Sequence, residues 1–329
     1  MNIIKKTTGT LLCAASLAVA CSTNAATTAA SYPDKPVRLV VPFTAGGVAD
    51  TLARLVAQSL SEQWKQPVVV ENKAGAGGNI GMSMVAKAAP DGYTLALAPV
   101  GNMTVNYLLY TQLDYQASDF APITELAASP NVLVAGKKKP VKNVQEFIDY
   151  AKANPNLVDF SSPGVGSGAH LAGELLNQMA GLQMVHVPYS GIAPAINDVI
   201  AGNVSIVFGG ISTVLPFIRD GKLQALAIAG PDRLQELPEV PTLIEAGYEG
   251  FNITSWYGLV TRAGTPDEII DKIQKAVAKG MDNKAFTEKL ASFGLIKQAS
   301  TPSAFAQQIA TDTKNWGEII KKAGIKPVQ

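Results

Sequence analysis

Residues 161–170 read SSPGVGSGAH, a loop of mostly glycine and serine around which the chain is organised. The run before it, Leu157–Phe160, has the character of a short strand, and Leu171–Met179 after it has apolar residues at helical spacing. Glycine lets the backbone approach a ligand closely, and the first amides of a helix lack intrahelical partners and favour negative charge. The stretch therefore predicts either an anion-binding strand–loop–helix junction or an ordinary glycine-rich turn.

Length and composition bound the class of protein. The chain has 329 residues, of which 47% are hydrophobic and 16% charged, and its formal net charge is +1. These values predict a globular chain of about two domains, neither disordered nor membrane-spanning. A charge so close to zero gives no sign of a basic face for nucleic acid.

The first 30 residues have the pattern of an export signal. Lys5 and Lys6 precede a short apolar core, Thr10–Ala20, and two small-residue cleavage sites follow, at residues 23–25 and 28–30. Residues 18–21, AVAC, also resemble a lipoprotein box, although Leu is usual in place of Ala at its first position. We expect a periplasmic protein, with lipid anchoring through Cys21 as the alternative to soluble export.

Removal of that signal changes the charge and the thiol content. Loss of Lys5 and Lys6 takes the net charge from +1 to −1, and both cysteines, Cys13 and Cys21, lie in or beside the signal. The mature chain therefore offers no disulfide, thiolate metal site or thiol nucleophile. With only two histidines besides, we expect no metal and no cofactor.

Two blocks of alternating strands and helices follow the signal. Strands are predicted at 37–41, 68–72 and 93–98, and again at 157–160, 184–187 and 204–208, and loops that contain glycine follow all of them except 93–98. Each block predicts a parallel α/β unit, with ligands bound outside the carboxyl ends of the strands. Segments 120–134 and 251–260 are expected to cross between the units, and helices 266–279 and 302–323 to pack on the first.

Other chemistries fit the motifs poorly. Gly164, Gly166 and Ala169 match a dinucleotide fingerprint, but the next strand carries no acidic residue at its tip. Ser167 is out of register for a nucleophile elbow, and His170 is poorly placed to activate it. An exported hydrolase using Ser167 or Asp50, and a ligand-presenting sensor, remain as alternatives to a binding protein.

Asp50 opens the helix after the first glycine loop, and two roles fit it equally. A carboxylate in the first helical turn stabilises the helix end. The same carboxylate facing the cleft would accept a hydrogen bond from a ligand hydroxyl, amine or water.

The chain resembles the Bug-type periplasmic receptors of tripartite tricarboxylate transporters over nearly its whole mature length. The resemblance is carried by YPDKPVRLVVPFTAGGVAD (32–50), QPVVVENKAGAGGNIG (66–81), APDGYTL (89–95), HLAGELLNQMAG (170–181), VHVPYSG (185–191), GKLQALAI (221–228), LPEVPTLIEAGY (237–248) and SWYGLV (255–260).

The resemblance implies a two-domain α/β fold of the type II periplasmic-binding class, closing on a small organic carboxylate. It implies a signal segment at 1–30, a first domain of residues 31–131 and 253–329, and a second domain of residues 132–252. The implied partners are the inner-membrane transporter subunits; we expect a monomer, no catalysis and no nucleic acid. The predicted ligand-binding residues are Phe43, Thr44, Ala45, Gly46, Gly47, Asp50, Gly166, Ser167, Gly168, His170 and Gly210.

Two positions depart from the pattern of that family. Ser190 stands where Lys or Arg is frequent, and Gly209–Gly210 stands where Asp-Asn is common. Losing those side chains changes the size and polarity of the pocket, so the identity of the carboxylate is left open.

Overall fold

Strands and helices alternate through the part of the chain that the computed structural model describes, residues 31–46, 48–139, 141–165, 167–189 and 191–324. The predicted export signal and Cys21 lie outside these ranges. The strands are β1 (Val37–Val41), β2 (Val68–Asn72), β3 (Thr94–Pro99), β4 (Phe120–Gly136), β5 (Asp159–Ser162), β6 (Val185–Pro188), β7 (Ile206–Gly210), β8 (Leu223–Ile228), β9 (Thr254–Arg262) and β10 (Ile296–Lys297).

The helices begin near the predicted positions. They are α1 (Val48–Trp64), α2 (Asn79–Ala86), α3 (Asn106–Leu109), α4 (Val144–Ala153), α5 (Gly168–Ala180), α6 (Ile192–Ala201), α7 (Ile211–Arg219), α8 (Asp267–Met281), α9 (Lys284–Ser292) and α10 (Pro302–Ala323). A search of the described helices finds none with the length and apolar composition of a bilayer span.

The first block forms one end of a continuous sheet. β1 pairs in parallel with β2 and β3, and β3 pairs antiparallel with β9. β1 is buried along most of its length because α1 covers it, with Leu52, Val56 and Leu60 in the shared core. The parallel unit predicted from the alternating pattern is confirmed.

The second block forms the other end. β5 pairs in parallel with β6 and β7, while β7 and β8 pair antiparallel with β4. The complete order is β2-β1-β3-β9-β4-β7-β5-β6, with β8 and β10 added on β4. β8 was not assigned to either block from the sequence.

The two segments expected to cross between the units are strands. β4 pairs with β9 from Phe120 to Pro130, and with β7 and β8 from Asn131 to Gly136. The partners of β4 thus change between Pro130 and Asn131. The predicted domain boundaries remain a prediction, to which we return below.

The C-terminal helix α10 differs from the prediction. Phe305 and Ile309 near its start pack in the core around Trp256, but Trp316 and Ile319 near its end pack with residues of α5 such as Leu171. The helix is about 33 Å long at 1.5 Å per residue, which is enough to cross from one unit to the other. α10 thus packs on the first unit as expected and, in addition, on α5 of the second unit, which was not expected; α8 packs on the first unit as predicted.

Candidate functional site

The carboxyl ends of the parallel strands in the two units point toward each other. β3 runs in the direction of β4, and its last residue, Pro99, pairs with Tyr257, which in turn pairs with Ala127. β7 runs against β4, and its last residue, Gly210, pairs with Asn131. Ala127 and Asn131 are four residues apart on one strand, or about 13 Å at 3.3 Å per residue. The loops after these strands therefore face one another across a short gap.

The first glycine loop lies after β1 and is held from behind by Asp50. The Gly46 amide and the Arg54 Nε donate to Asp50 Oδ2 at 2.9 and 3.0 Å, and Asn72 Nδ2 donates to Oδ1 at 3.0 Å. Asn72 Nδ2 also donates to the Phe43 carbonyl at 3.1 Å. These bonds use both carboxylate oxygens within the protein, which favours the structural one of the two predicted roles for Asp50.

The charge state of Asp50 follows from the same contacts. Burial alone would raise its pKa, since only 4% of the residue is exposed. The hydrogen bonds from Arg54, Gly46 and Asn72 and the charge of Arg54 outweigh burial and lower the pKa. Asp50 is thus a fixed anion, and a ligand carboxylate requires the loop amides rather than this side chain.

The other residues predicted in this loop lie at its surface. Thr44, Ala45 and Gly46 are exposed, while Phe43 is half-buried and packs on the core of the first unit. Gly46 has φ +91°, and a Cβ there would contact nothing within 4 Å, so backbone conformation rather than space requires glycine. Gly47 lies outside the described residues.

The second glycine loop begins α5 with a side-chain cap. Ser167 Oγ accepts from the His170 amide at 3.3 Å and donates to the Gly164 carbonyl at 2.7 Å. The cap starts the helix at Gly168, three residues before the predicted start, and turns its first amides out of the N-terminus. A Cβ on Gly168 would lie 3.3 Å from Ser255 Oγ of β9. Gly166 lies outside the described residues.

The side chain of His170 points into a ring stack. Its centroid lies 4.0 Å from that of His186, whose ring stacks on Phe160 at 5.0 Å. His186 Nε2 is 2.7 Å from Ser162 Oγ, and His170 Nε2 is 3.8 Å from Glu174 Oε1. Burial lowers the pKa of both histidines to about 4, and the His186 charge adds to the effect on His170.

These contacts argue against the alternative of a hydrolase that uses Ser167. Ser167 Oγ donates to a carbonyl, and its contact with His170 is to the backbone amide, not to the imidazole. Within the described part of the chain, no imidazole or carboxylate contacts Ser167 Oγ, in agreement with the spacing in the sequence.

Gly209 and Gly210 end β7, and the space for a side chain is much smaller at Gly209 than at Gly210. A Cβ on Gly209 would lie 2.4 Å from Val214 Cγ1, and one on Gly210 would lie 3.2 Å from Ser129 Oγ. The packing of Val214 thus explains why Asp, which the resemblance would lead one to expect, is absent at Gly209. Ser190, the other departure, lies outside the described residues.

Sequence analysis missed the polar residues of the crossing strands. Asn131 Nδ2 donates to the Ile253 carbonyl at 3.0 Å and to Ser255 Oγ at 3.3 Å, which joins the two crossings between the glycine loops. Asn131 is 5% exposed inside the mostly apolar β4. An amide in the middle of such a strand is the signal that could have found it, because a buried polar group requires a partner.

A second missed group lies behind the glycines before α2. Asn79 Oδ1 accepts from Asn102, Asn106 and Tyr115 at 3.1, 2.5 and 2.8 Å. Asn102 Nδ2 also donates to the Gly77 carbonyl at 3.0 Å. This buried network fixes a third loop at the same end of the first unit.

Comparison with known sequences identifies relatives over most of the chain. Residues 52–325 match the family described as "Tripartite tricarboxylate transporter family receptor". Protein BugT of Bordetella pertussis is 35% identical over 298 residues, which cover 90% of this chain and 91% of BugT. A Pseudomonas sp. (strain P51) protein named for the tcbD-tcbE intergenic region is 33% identical over 94% of this chain and 93% of its own.

Solved structures agree with the sequence relatives. The structure titled "R. palustris Rpa4515 with adipate" is 34% identical with a TM-score of 0.81, covering 90% of this chain and all of that one. The periplasmic binding protein BugD is 34% identical with a TM-score of 0.77 over 90% of this chain and all of its own. MatC of Rhodopseudomonas palustris, with bound malate, is 33% identical with a TM-score of 0.75 over 88% of this chain and all of MatC.

These matches confirm the predicted two-domain periplasmic-binding fold and make the alternative of an enzyme wrong, because this is a family of solute-binding receptors. The chain belongs to the tripartite tricarboxylate transporter receptor family, the Bug-type periplasmic solute-binding proteins.

Proposed function

We propose that this receptor captures a small organic carboxylate between its two glycine loops and delivers it to a tripartite tricarboxylate-type transporter in the inner membrane. The observation that carries the proposal is the register of β4, which makes the ends of β3 and β7 face each other with an offset of about 13 Å along the strand direction. α1 follows β1 and α7 follows β7, so both helices begin at strand ends that face each other. α5 begins beside α7, because it follows β5 and β5 pairs with β7.

The chemistry of those helix ends suits a carboxylate. Each N-terminus presents amides without intrahelical partners and a partial positive charge. An anion held by two such ends needs no Arg or Lys, and it is released when the units separate. The two ligands in the related structures, adipate and malate, carry two carboxylates each, which fits one carboxylate for each loop.

We also propose that the domains divide where β4 changes partners, as residues 31–131 with 253–329 and residues 132–252. The pairing of β4 and β9 supports this division. The position of α10 modifies it, because the second half of this helix packs with the second domain. Limited proteolysis with and without adipate tests the division, since we expect cleavage between the domains to slow when the cleft closes.

Binding is tested by a thermal-shift series with adipate, malate and the uncharged adipamide. A ligand at 100 times its dissociation constant adds about 2.7 kcal/mol to the free energy of unfolding. We expect a shift with at least one dicarboxylate and none with adipamide. Equal shifts with adipate and adipamide would contradict recognition of the anion.

The loop assignment is tested with Gly46→Ala and Gly247→Ala. Both glycines have similar left-handed φ values, +91° and +95°, and a Cβ on either would contact nothing within 4 Å. Both variants therefore carry the same backbone strain, but only Gly46 lies in the proposed site. We expect Gly46→Ala, but not Gly247→Ala, to weaken carboxylate binding in calorimetry. Equal affinities of the two variants would contradict the placement of this loop in the binding site.

The location and the assembly of the mature receptor follow from the same proposal. We propose a monomer in the periplasm, released as a soluble protein rather than anchored through Cys21. The intact mass of the processed protein distinguishes the two forms, since a lipoprotein keeps Cys21 and carries acyl chains. Light scattering on the purified protein tests the monomer.

A further inference from the structure

Two serines of the crossing strands lie beside the starts of α5 and α7. Ser129 of β4 and Ser255 of β9 are direct partners in the antiparallel pairing, so both side chains project to the same face. A Cβ on Gly210, the last residue before α7, would lie 3.2 Å from Ser129 Oγ. A Cβ on Gly168, the first residue of α5, would lie 3.3 Å from Ser255 Oγ. The pair Ser129 and Ser255 is called the serine floor below.

The side chains next to the serine floor point to the other face of the sheet, which α10 covers. Trp256 Nε1 donates to Asp312 of α10 at 2.7 Å, and the Trp256 ring packs edge-on against Phe305 of the same helix. Because successive side chains of a strand alternate between faces, Ser255 points away from α10. The serine floor therefore lies on the face of the glycine loops.

The hydroxyl of Ser129 is buried without a hydrogen-bond partner. The residue is 7% exposed, and its Oγ makes no hydrogen bond to any of the described residues. The atom keeps some accessible surface, whereas the unpaired Nε1 of Trp316 is enclosed. A polar group in this position requires a partner, and a molecule in the cleft can reach it.

Ser255 has an accepting side that is occupied and a donating side that is open. Asn131 Nδ2 donates to Ser255 Oγ at 3.3 Å and to the Ile253 carbonyl at 3.0 Å. The hydroxyl hydrogen of Ser255 has no acceptor within the described part of the chain. Paired residues of antiparallel strands have Cβ atoms about 4.5–5.5 Å apart, so the serine floor can present two donors to the two oxygens of one carboxylate.

Gly210 and Gly168 leave the two hydroxyls uncovered. Gly210 has φ −56° and Gly168 is helical, so the backbone conformation does not require glycine at either position. A Cβ at 3.2 or 3.3 Å would be closer to the hydroxyl oxygen than an ordinary van der Waals contact. Glycine at position 210, where the resemblance leads one to expect Asn, therefore keeps Ser129 open to the cleft.

We propose that the serine floor belongs to the carboxylate site, with Ser129 and Ser255 each donating a hydrogen bond to one carboxylate of the ligand. Gly210 and Gly168 keep these donors accessible, and the hydroxyls add to the amides of the glycine loops. The inference rests on the proposed function, because it names further residues that bind the same ligand.

The test is calorimetry on Ser129→Ala and Ser255→Ala with whichever of adipate and malate binds the wild type more tightly. We expect each variant to bind about tenfold more weakly or worse, because a hydrogen bond to a charged group is lost. Thr254→Val is the matched control, since it removes a hydroxyl from the opposite face of β9, where Thr254 Oγ1 donates to Asn252. Its affinity should equal that of the wild type.

Urea unfolding without ligand distinguishes contact with the ligand from a structural role. Because Ser129 Oγ has no partner in the described protein, Ser129→Ala should weaken binding without lowering the free energy of unfolding. Gly210→Ala should weaken binding in the wild type but add little in Ser129→Ala, because both changes remove the same donor from the cleft. Additive losses in the double variant, or a loss of stability in Ser129→Ala, would contradict the proposed roles.

The outcomes also distinguish this inference from the proposed function. Wild-type affinity in both serine variants overturns the serine floor and leaves carboxylate capture by the glycine loops intact. A wild-type protein that binds neither adipate nor malate overturns both proposals.

Discussion

The replacement Asp50→Asn tests whether the first glycine loop is held by hydrogen bonds to one buried carboxylate. Asp50 accepts from the Gly46 amide, Arg54 Nε and Asn72 Nδ2. Asparagine keeps the size of the side chain but turns one acceptor oxygen into an NH₂ donor. Whichever way the new amide is oriented, this donor meets at least one of the three existing donors.

The size of the effect follows from how many bonds are lost. The Arg54 side chain is 55% exposed, so its bond is screened by water and is left out of the sum. The remaining bonds come from the Gly46 and Asn72 amides, and a hydrogen bond to a charged group contributes about 1.5–3 kcal/mol. Loss of one bond and weakening of the other predict that the free energy of unfolding falls by about 2–4 kcal/mol.

Urea unfolding followed by the fluorescence of the three tryptophans measures this change. Glu245→Gln is the matched control, because Glu245 also accepts from a backbone amide and an arginine but is 45% exposed. We expect a much smaller loss for that variant. A free energy for Asp50→Asn within about 0.5 kcal/mol of the wild type, the usual range of surface changes, would refute the reasoning.

Calorimetry on the same variant separates the two roles predicted for Asp50. If Asp50 only shapes the loop, Asp50→Asn lowers the affinity for adipate and the affinity for malate by the same factor. If the Asp50 carboxylate contacts the ligand, the two factors differ, because malate has a hydroxyl that can donate to it and adipate has none. We expect equal factors.

Three further predictions concern folding. Ser167→Ala should cost about 1 kcal/mol through loss of its helix cap and weaken adipate binding, whereas Thr301→Ala, which removes the cap of α10, should affect stability alone. The pKa of His170 is about 4 in the folded protein against an ordinary 6.5, so between these values only the unfolded state takes up a proton on this side chain. The free energy of unfolding should therefore decrease as the pH is lowered through this window, by up to about 1.4 kcal/mol per pH unit. His170→Phe should reduce that pH dependence in urea unfolding. Gly258→Ala should destabilise by about 1–3 kcal/mol in the same assay, because its Cβ would lie 2.0 Å from the Phe305 ring; a neutral result would contradict that packing.

Local sequence patterns predicted most of the fold. The β-branched run 37–41 and the run 68–72 are strands with the predicted bounds, and the glycine loops lie after the strands as expected. Both features depend on neighbours in sequence, so composition and spacing are sufficient to find them.

Contacts distant in sequence were not predictable in the same way. The periodicity of α10 indicates an apolar face but not that Phe305 and Trp316 enter different cores. To predict the hydrogen bonds from Gly46 and Asn72 to Asp50, one would have to know how β1 and β2 lie relative to each other.

The anchoring of α10 in both cores limits how the receptor can open. A stiff rod fixed near each end resists any motion that pulls the two units apart along its length. It permits the two units to rotate relative to each other about an axis close to the helix. Displacement then grows with distance from the rod, so the glycine loops, which lie on the face of β4 opposite to α10, travel furthest.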